Sequence, residues 1–421
     1  MTTETSGIEP ALLPSADGDG SSLPSERGPL PGRALAERVR AVPPSGIRRF
    51  FDILATMDDV ISLGVGEPDF DTPPAIVEAG IGSLRRGRTH YTSNYGTIEL
   101  RRVLADHLER RYGVRYDPGR EILITIGASE AVDLALRATC DPGDEVILHE
   151  PSYVAYVPAV VFAGGTARLV PTRLEDDFAL DPAAVEAAIT PRTKALFLGY
   201  PCNPTGAVLP GEVQDELARI AVRHDLLVYS DEIYDRLAYG SYRHRPISAR
   251  PGMFERTILI GGFSKAYAMT GWRVGYLCAP AAILDGIVKV HQYAIMSAPT
   301  TAQDAALEAI TNGEPEVERM RLAYDRRRRL LVDGLNAIGL PTFEPRGAFY
   351  AFPQISSTGL SSDEFTERLL REERVAVVPG NAFGPSGEGH VRACYATSED
   401  ELREALVRIG RFVERVRGGS R

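Results

Sequence analysis

A lysine at the end of a predicted strand is the residue whose surroundings most strongly suggest covalent chemistry. Lys265 follows the apolar run 257–260, which is typical of a buried strand, and stands among glycine, serine and aromatic residues. The chain has only two other lysines, Lys194 and Lys289. A lone lysine usually lies in a solvated loop, but a desolvated amine between two apolar strands fits the nucleophile that forms Schiff bases.

Polar residues also follow two other predicted strands. Asp231 ends the run 226–230, and a carboxylate beside a ring nitrogen keeps that ring protonated, so that it accepts electrons. Asn203 lies between two prolines, which hold its amide in a fixed loop. Taken singly, Asp231 also fits a helix N-cap and Asn203 also fits an ordinary turn.

Two further positions are suited to binding anions. Gly127, Ala128 and Ser129 join a predicted strand to a helix, and the free N–H groups of a helix N-terminus bind phosphate. Arg392 lies within the apolar β-pattern 390–395. A guanidinium there either binds a carboxylate through two hydrogen bonds or forms a structural ion pair.

The elements that must position these residues alternate between strands and helices from about residue 121 to residue 278. This alternation predicts an α/β fold, with a mixed, mostly parallel sheet covered by helices. Ligands of such sheets bind at the carboxyl ends of the strands, where the polar residues cluster. A long helical segment is expected over 281–338, followed by a smaller α+β lobe with a strand at 342–343.

The domain boundaries follow from the same patterns. Residues 1–33 are rich in Ser, Gly, Pro and acidic residues and are expected to form a disordered tail. Residues 34–62 are expected to form an N-terminal arm, with an amphipathic helix over 46–57, and part of the small domain. Residues 63–312 then make the large, cofactor-binding domain, and residues 313–421 make the small C-terminal domain.

Composition excludes several classes of function. The net charge of −10 argues against a nucleic-acid partner, and the arginine run 326–329 fits a solvated helix face or an interface better than a phosphate-binding patch. No apolar run reaches the length of a membrane span. The four cysteines are far apart and no His/Cys cluster has metal-binding spacing, so we expect a soluble, cytoplasmic protein without a metal.

Taken together, the segments 203–206, 230–234 and 264–276 resemble fold-type I pyridoxal-phosphate aminotransferases of class I/II, similar to the aspartate and aromatic aminotransferases. The resemblance extends from about Ala34 to Arg415. It implies transfer of an amino group from an L-amino acid to a 2-oxo acid through a Lys265 aldimine, in amino acid metabolism. It also implies a homodimer with active sites at the interface.

The resemblance assigns the roles in catalysis and ring binding. Lys265, Asp231 and Tyr234 would be the catalytic residues, with Asp231 paired to the pyridine nitrogen. Asn203 and Tyr234 would hydrogen-bond the 3′-oxygen of the cofactor. Tyr153 would stack on the ring.

The remaining roles concern anions. The phosphate would be bound by Ala128, Ser129, Ser264 and Arg273, and by Tyr91 of the neighbouring subunit. The substrate α-carboxylate would be bound by Gly66, Asn203 and Arg392. The family often has Ser or Thr three residues before the lysine, where this chain has Gly262, so Ser264 and Arg273 are expected to carry more of the phosphate binding.

Three other functions are alternatives to transamination. Other pyridoxal-phosphate reactions, such as β-elimination by a lyase or ring closure by a cyclase, share the same lysine, aspartate and arginine. A ligand-sensing regulator would need a DNA-binding domain, for which the acidic residues 1–33 are too few. A dinucleotide-binding enzyme is disfavoured because no GxGxxG motif joins a strand to a helix.

Overall fold

The computed structural model describes residues 35–44 and 57–418. The chain divides into two units, residues 1–41 and residues 42–421. In the first unit the described part contains the short helix α1 (Glu37–Arg40), which has no buried residue. The expected tail 1–33 and all of the expected helix 46–57 except Met57 lie outside the described residues.

A seven-stranded sheet forms the centre of the second unit. Its strands have the spatial order β2-β8-β7-β6-β5-β3-β4, and only β8 runs against its neighbours. The strands are β2 (Ile122–Thr125), β3 (Glu145–Glu150), β4 (Thr166–Pro171), β5 (Thr193–Gly199), β6 (Leu227–Asp231), β7 (Thr257–Gly262) and β8 (Gly275–Cys278). The predicted mixed, mostly parallel sheet is confirmed, and its central strands are buried on both faces, as near-continuous apolar runs require.

Helices lie between and after the strands of this sheet. They are α2 (Pro74–Arg85), α3 (Ile98–Tyr112), α4 (Gly127–Thr139), α5 (Tyr156–Phe162), α6 (Pro182–Ala187), α7 (Gly211–Arg223), α8 (Ala281–Ala294), α9 (Thr300–Asn312) and α10 (Glu314–Ala337). The single helical segment expected over 281–338 is therefore three helices. Pro299 immediately precedes α9 and Gly313 separates α9 from α10, and both residue types interrupt helices.

The arginine run 326–329 lies on α10 and is more than a solvated face. Arg327 forms an ion pair with Asp69 at 2.8 Å, and the buried Arg328 pairs with Asp325 at 2.8 Å. Among the described residues, no helix is both long enough and apolar enough to cross a membrane.

Short strands and two helices complete the second unit. Strands β11 (Val378–Pro379), β12 (Val391–Cys394) and β9 (Tyr350–Ala351) form an antiparallel sheet in that order, whereas β1 (Ile61–Ser62) pairs in parallel with β10 (Val375–Ala376). The helices are α11 (Ser362–Glu373) and α12 (Glu399–Gly418). The strand expected at 342–343 is absent, because the Asn336 side chain hydrogen-bonds both backbone groups of Thr342.

Candidate active site

A cavity of about 640 Å³ opens at the carboxyl ends of the parallel strands. It brings together eleven of the twelve residues to which the sequence assigned a role. These are Gly66, Ala128, Ser129, Tyr153, Asn203, Asp231, Tyr234, Ser264, Lys265, Arg273 and Arg392.

Lys265 lies on the connection 263–274 between β7 and β8. Its Nζ donates a hydrogen bond of 2.7 Å to the backbone oxygen of Gly66, and within the described residues it forms no ion pair. Burial, together with the nearby positive charges of Arg392 and Arg273, lowers the pKa of Lys265 to about 8. Roughly a tenth of the amine is therefore neutral at pH 7, far more than for an exposed lysine, and the neutral form is the one that a nucleophile or general base requires.

Asp231 ends β6 and is only 6% exposed. Its Oδ2 accepts a hydrogen bond from the Tyr156 hydroxyl at 2.8 Å, and its Oδ1 accepts one from the Ile233 N–H at 3.1 Å. Burial nevertheless raises the pKa of Asp231 to about 6. The carboxylate is thus placed where a cationic ligand group would favour its ionised form.

The N-terminus of α4 meets Arg273 at another side of the cavity. Gly127 has φ +72°, and a Cβ at this position would lie 2.6 Å from Arg273 Nη2. Gly275 also approaches closely, since a Cβ there would lie 2.8 Å from the nitrogen of Ala128. Two glycines thus bring the guanidinium and the free N–H groups together, next to the buried Ser264.

Gly262, at the end of β7, is also tightly packed. A Cβ at this position would lie 3.0 Å from Ile233 Cδ1 and 3.3 Å from the Cα of Gly275. A serine or threonine would press on both neighbours, so the packing accounts for the glycine.

Arg392 is 4% exposed on β12 and lies near the same cavity. Its Nη1 donates to Asn203 Oδ1 at 2.9 Å and its Nη2 donates to the backbone oxygen of Gly64 at 2.7 Å. The guanidinium lies over the rings of Tyr350 and Phe383, with its carbon 4.5 Å and 4.9 Å from their centroids. Its Nε is buried without a partner, and no carboxylate of the described residues pairs with it.

The aromatic residues of the site come from separate segments of the chain. Tyr234 lies in a turn after β6 and lines the cavity together with Asp231. Its hydroxyl hydrogen-bonds that of Tyr350 at 2.8 Å. Tyr153 lies edge-on to Tyr156, with centroids 5.5 Å apart.

Sequence reasoning missed two of these residues, Tyr156 and Tyr350. Tyr156 is the hydrogen-bond partner that a buried Asp231 needs, and Tyr350 contacts both Tyr234 and Arg392. The spacing of Tyr156, three residues after Tyr153 and at the start of α5, was a usable signal. Tyr91, by contrast, is 81% exposed and does not line the cavity of its own chain.

Comparison with known proteins identifies the family of this chain. The family model "Aminotransferase class I and II" matches residues 58–409. A putative aminotransferase, YugH, of Bacillus subtilis is 51% identical over 381 residues, which cover 90% of this chain and 98% of that protein.

Solved structures of two aminotransferases are also similar to this chain. The aromatic aminotransferase from Pyrococcus horikoshii has a TM-score of 0.84 at 46% identity, covering 87% of this chain and 99% of that one. The aspartate aminotransferase from Thermus thermophilus with maleate has a TM-score of 0.86 at 44% identity, covering 90% and 99%. These relatives are aminotransferases rather than lyases or cyclases, and the chain belongs to the class I and II aminotransferases, which use pyridoxal phosphate.

Proposed function

We propose that this aminotransferase moves an amino group between an L-amino acid and a 2-oxo acid, with Lys265 as its catalytic amine. The observation that carries the proposal is the meeting of Lys265, Asp231 and Arg392 around one cavity. Each is a buried or half-buried ionisable group, and within the described residues none of them forms an ion pair. The shifted pKa values of Lys265 and Asp231, in a cavity where neither forms an ion pair with the described residues, are a usual mark of a catalytic site.

The residues of the cavity fit pyridoxal phosphate. Asp231 is suited to the protonated ring nitrogen, because a cation there offsets the cost of burying its carboxylate. Arg273 is placed beside the N-terminus of α4, where Ala128 and Ser129 supply backbone N–H groups for a phosphate. The unpartnered Nε of Arg392 leaves this guanidinium able to receive an additional anion, the α-carboxylate of the substrate.

Pyridoxal phosphate, when bound, supplies an aldehyde that condenses with amines and a ring that accepts electrons. The chain supplies orientation and proton movement. Arg392, itself held by hydrogen bonds to Asn203 Oδ1 and the Gly64 carbonyl, fixes the substrate carboxylate and thereby the position of Cα. Lys265 Nζ, whose pKa is about 8, accepts the proton from Cα and returns it, acting as general base and then general acid.

We further propose that the enzyme works as a homodimer and that residues 63–312 and 313–421 are its large and small domains. Tyr91 is exposed on its own chain, as a residue that completes the phosphate site of a second subunit would be. The two relatives with solved structures carry the names of aromatic and aspartate aminotransferases, which suggests aromatic and dicarboxylic substrates.

The test is replacement of the lysine. Lys265→Ala should abolish turnover and the visible absorption of the cofactor-bound protein, because no other amine lies in the cavity of the described chain. The matched control is Lys289→Ala, which removes an exposed lysine of α8 and should leave both unchanged. Appreciable turnover by the Lys265 variant, with any amino donor and 2-oxo acid, would show that another group does the chemistry.

A further inference from the structure

A second buried polar cluster adjoins Asp231 on strand β6. Ser230 precedes Asp231 on β6, where side chains alternate between the faces of the sheet, and Glu232 follows Asp231 directly after the end of the strand. Glu232 Oε2 lies 2.8 Å from His244 Nε2, and Glu232 Oε1 accepts a hydrogen bond from Ser230 Oγ at 2.8 Å. Both side chains of the Glu232–His244 pair are almost completely buried, at 5% and 6% exposed.

Among the described residues, His244 is the basic side chain that pairs with Glu232. No lysine or arginine of the part of the chain that the structure describes forms an ion pair with this carboxylate. The second acid near the imidazole is Asp235, and the other titratable groups around the pair are Tyr112, Tyr116, Tyr242, Tyr276 and Cys278. Burial raises the pKa of each of those five groups, so they are neutral near physiological pH.

The charges around His244 favour its protonated form. Burial alone would lower the pKa of His244, but the charge and hydrogen bond of Glu232, helped by the charge of Asp235, more than offset this and raise it. Nδ1 of the same ring is buried and has no hydrogen-bond partner among the described residues. The hydrogen bond to Glu232 is therefore the one that holds the imidazole within the described chain.

Glu232 also acts on its neighbour in the chain. After burial and two hydrogen bonds, the next influence on the pKa of Asp231 is the negative charge of Glu232, which raises it. An unneutralised Glu232 would therefore favour a proton on Asp231, and a protonated Asp231 no longer attracts a cationic ring. The charge of His244 opposes that effect.

We propose that His244 is a positioning residue that keeps Asp231 ionised, because its protonated imidazole cancels the repelling charge of Glu232 beside it. This rests on the proposed pairing of Asp231 with the cofactor ring. The pair touches neither cofactor nor substrate, since neither residue lines the cavity. It acts only through the charge of Asp231.

The experiment measures the affinity of the cofactor-free protein for pyridoxal phosphate as a function of pH. Binding is followed by the fluorescence of Trp272, the single tryptophan of the chain. The quantity compared is the acidic midpoint, which we define as the pH below which affinity falls. Ionisations of free pyridoxal phosphate are common to all variants and cancel in the comparison.

The two single variants should move this midpoint in opposite directions. Glu232→Gln removes the repelling charge and should lower the midpoint, whereas His244→Asn exposes Asp231 to that charge and should raise it. Each shift should be roughly half a pH unit to one pH unit, as for a nearby charge. The double variant should behave like Glu232→Gln, because His244 acts only through Glu232.

Glu145→Gln is the matched control. Glu145 is a similarly buried carboxylate with arginine partners, but it lies at the amino end of strand β3, whereas Asp231 lies at the carboxyl end of β6. Its variant should keep the wild-type midpoint. If His244→Asn does not fold, His244→Lys takes its place: the retained charge should keep the midpoint of the wild type while Glu232→Gln lowers it.

If the acidic midpoints of Glu232→Gln and His244→Asn shift in opposite directions, a purely structural role of the pair is excluded. Midpoint shifts in the same direction, or an unchanged midpoint in Glu232→Gln, would overturn the inference. Asp231→Asn in the same titration tests the role of Asp231 separately from that of the Glu232–His244 pair. If Asp231→Asn abolishes the acidic midpoint but the Glu232 and His244 variants keep the wild-type midpoint, only the inference about the pair fails. If the midpoint persists in Asp231→Asn, the proposed role of Asp231 fails.

Discussion

Burial changes the acid–base behaviour of individual residues in this cavity, and it does so in opposite directions for the amine and the carboxylate. The pKa of Lys265 falls to about 8 and that of Asp231 rises to about 6, because each charged form is poorly solvated. Both groups therefore hold part of their population in the uncharged form close to neutral pH, whereas an exposed lysine or aspartate would be fully charged.

The lowered pKa of Lys265 predicts how the cofactor-free protein loads pyridoxal phosphate. Only the neutral amine attacks an aldehyde, so the loading rate should rise with pH through about 8 and then level off. Stopped-flow absorbance measures this rate, and a free lysine derivative in the same buffers is the control. A rate that continues to rise up to about pH 10.4, as for an ordinary lysine, would contradict the desolvated amine.

Arg392 gives a second prediction. Arg392→Lys keeps the charge but loses the two-pronged hydrogen bonding, so KM for the amino acid should rise roughly 10- to 100-fold, the value of one charged hydrogen bond. Affinity for pyridoxal phosphate should change little. The control is Arg326→Lys on the exposed face of α10. An unchanged KM in steady-state assays would remove Arg392 from substrate binding.

The residues that carry the chemistry could be predicted from the sequence, whereas the side chains that hydrogen-bond or pack against them could not. Lys265, Asp231 and Arg392 are polar residues at the ends of or within apolar strands, which is a strong local signal. Tyr156 and Tyr350 are aromatic residues in apolar surroundings, and such residues usually belong to the core. Their hydrogen bonds exist only because tertiary packing brings distant segments together.

Among the elements, β8 and the start of α4 approach each other so closely that a single added methyl group would not fit between them. Gly275 faces backbone, not a flexible side chain: a Cβ would lie 2.6 Å from the carbonyl carbon of Gly127. The contact fixes where the N–H groups of α4 point.

Gly275→Ala should therefore weaken cofactor binding and destabilise the protein by about 1–3 kcal/mol, the usual cost of overpacking. Gly286→Ala is the matched control, because the helical Gly286 of α8 has open space around it and alanine is the better helix former by up to about 1 kcal/mol. Urea unfolding and cofactor titration report the two effects. Wild-type affinity in Gly275→Ala would show that the contact does not position the amides.

The elements themselves were predicted where periodicity was long and uninterrupted. The reversed direction of β8 was not predicted, because the alternation of strands and helices indicates only that a sheet is mostly parallel. A parallel crossover usually needs a helix, and residues 263–274 contain none. The strand missing at 342–343 has a similar cause, since side-chain hydrogen bonds from Asn336 replaced the strand pairing.

For the whole molecule, the exposed Tyr91 predicts function as a dimer. Sedimentation velocity should give twice the 45.8 kDa mass of the chain, and Tyr91→Phe should weaken cofactor binding by removing a hydroxyl supplied across the interface. Tyr293→Phe is the control, since Tyr293 is 87% exposed and does not line the cavity. A fully active monomer would contradict both parts of the prediction.

The connection 263–274 between β7 and β8 also has a consequence for how the chain acquires its site. These two strands are antiparallel neighbours joined by a short segment, so Lys265 and Arg273 are brought together by a local hairpin contact. The pairing of β8 with β2, which brings in the N–H groups of α4, joins Ile122 to Cys278 across a long loop of chain. Closing such a loop costs more entropy and contacts of this kind form more slowly, so the lysine and its arginine come together early in folding and the phosphate-binding end of the cavity is completed late.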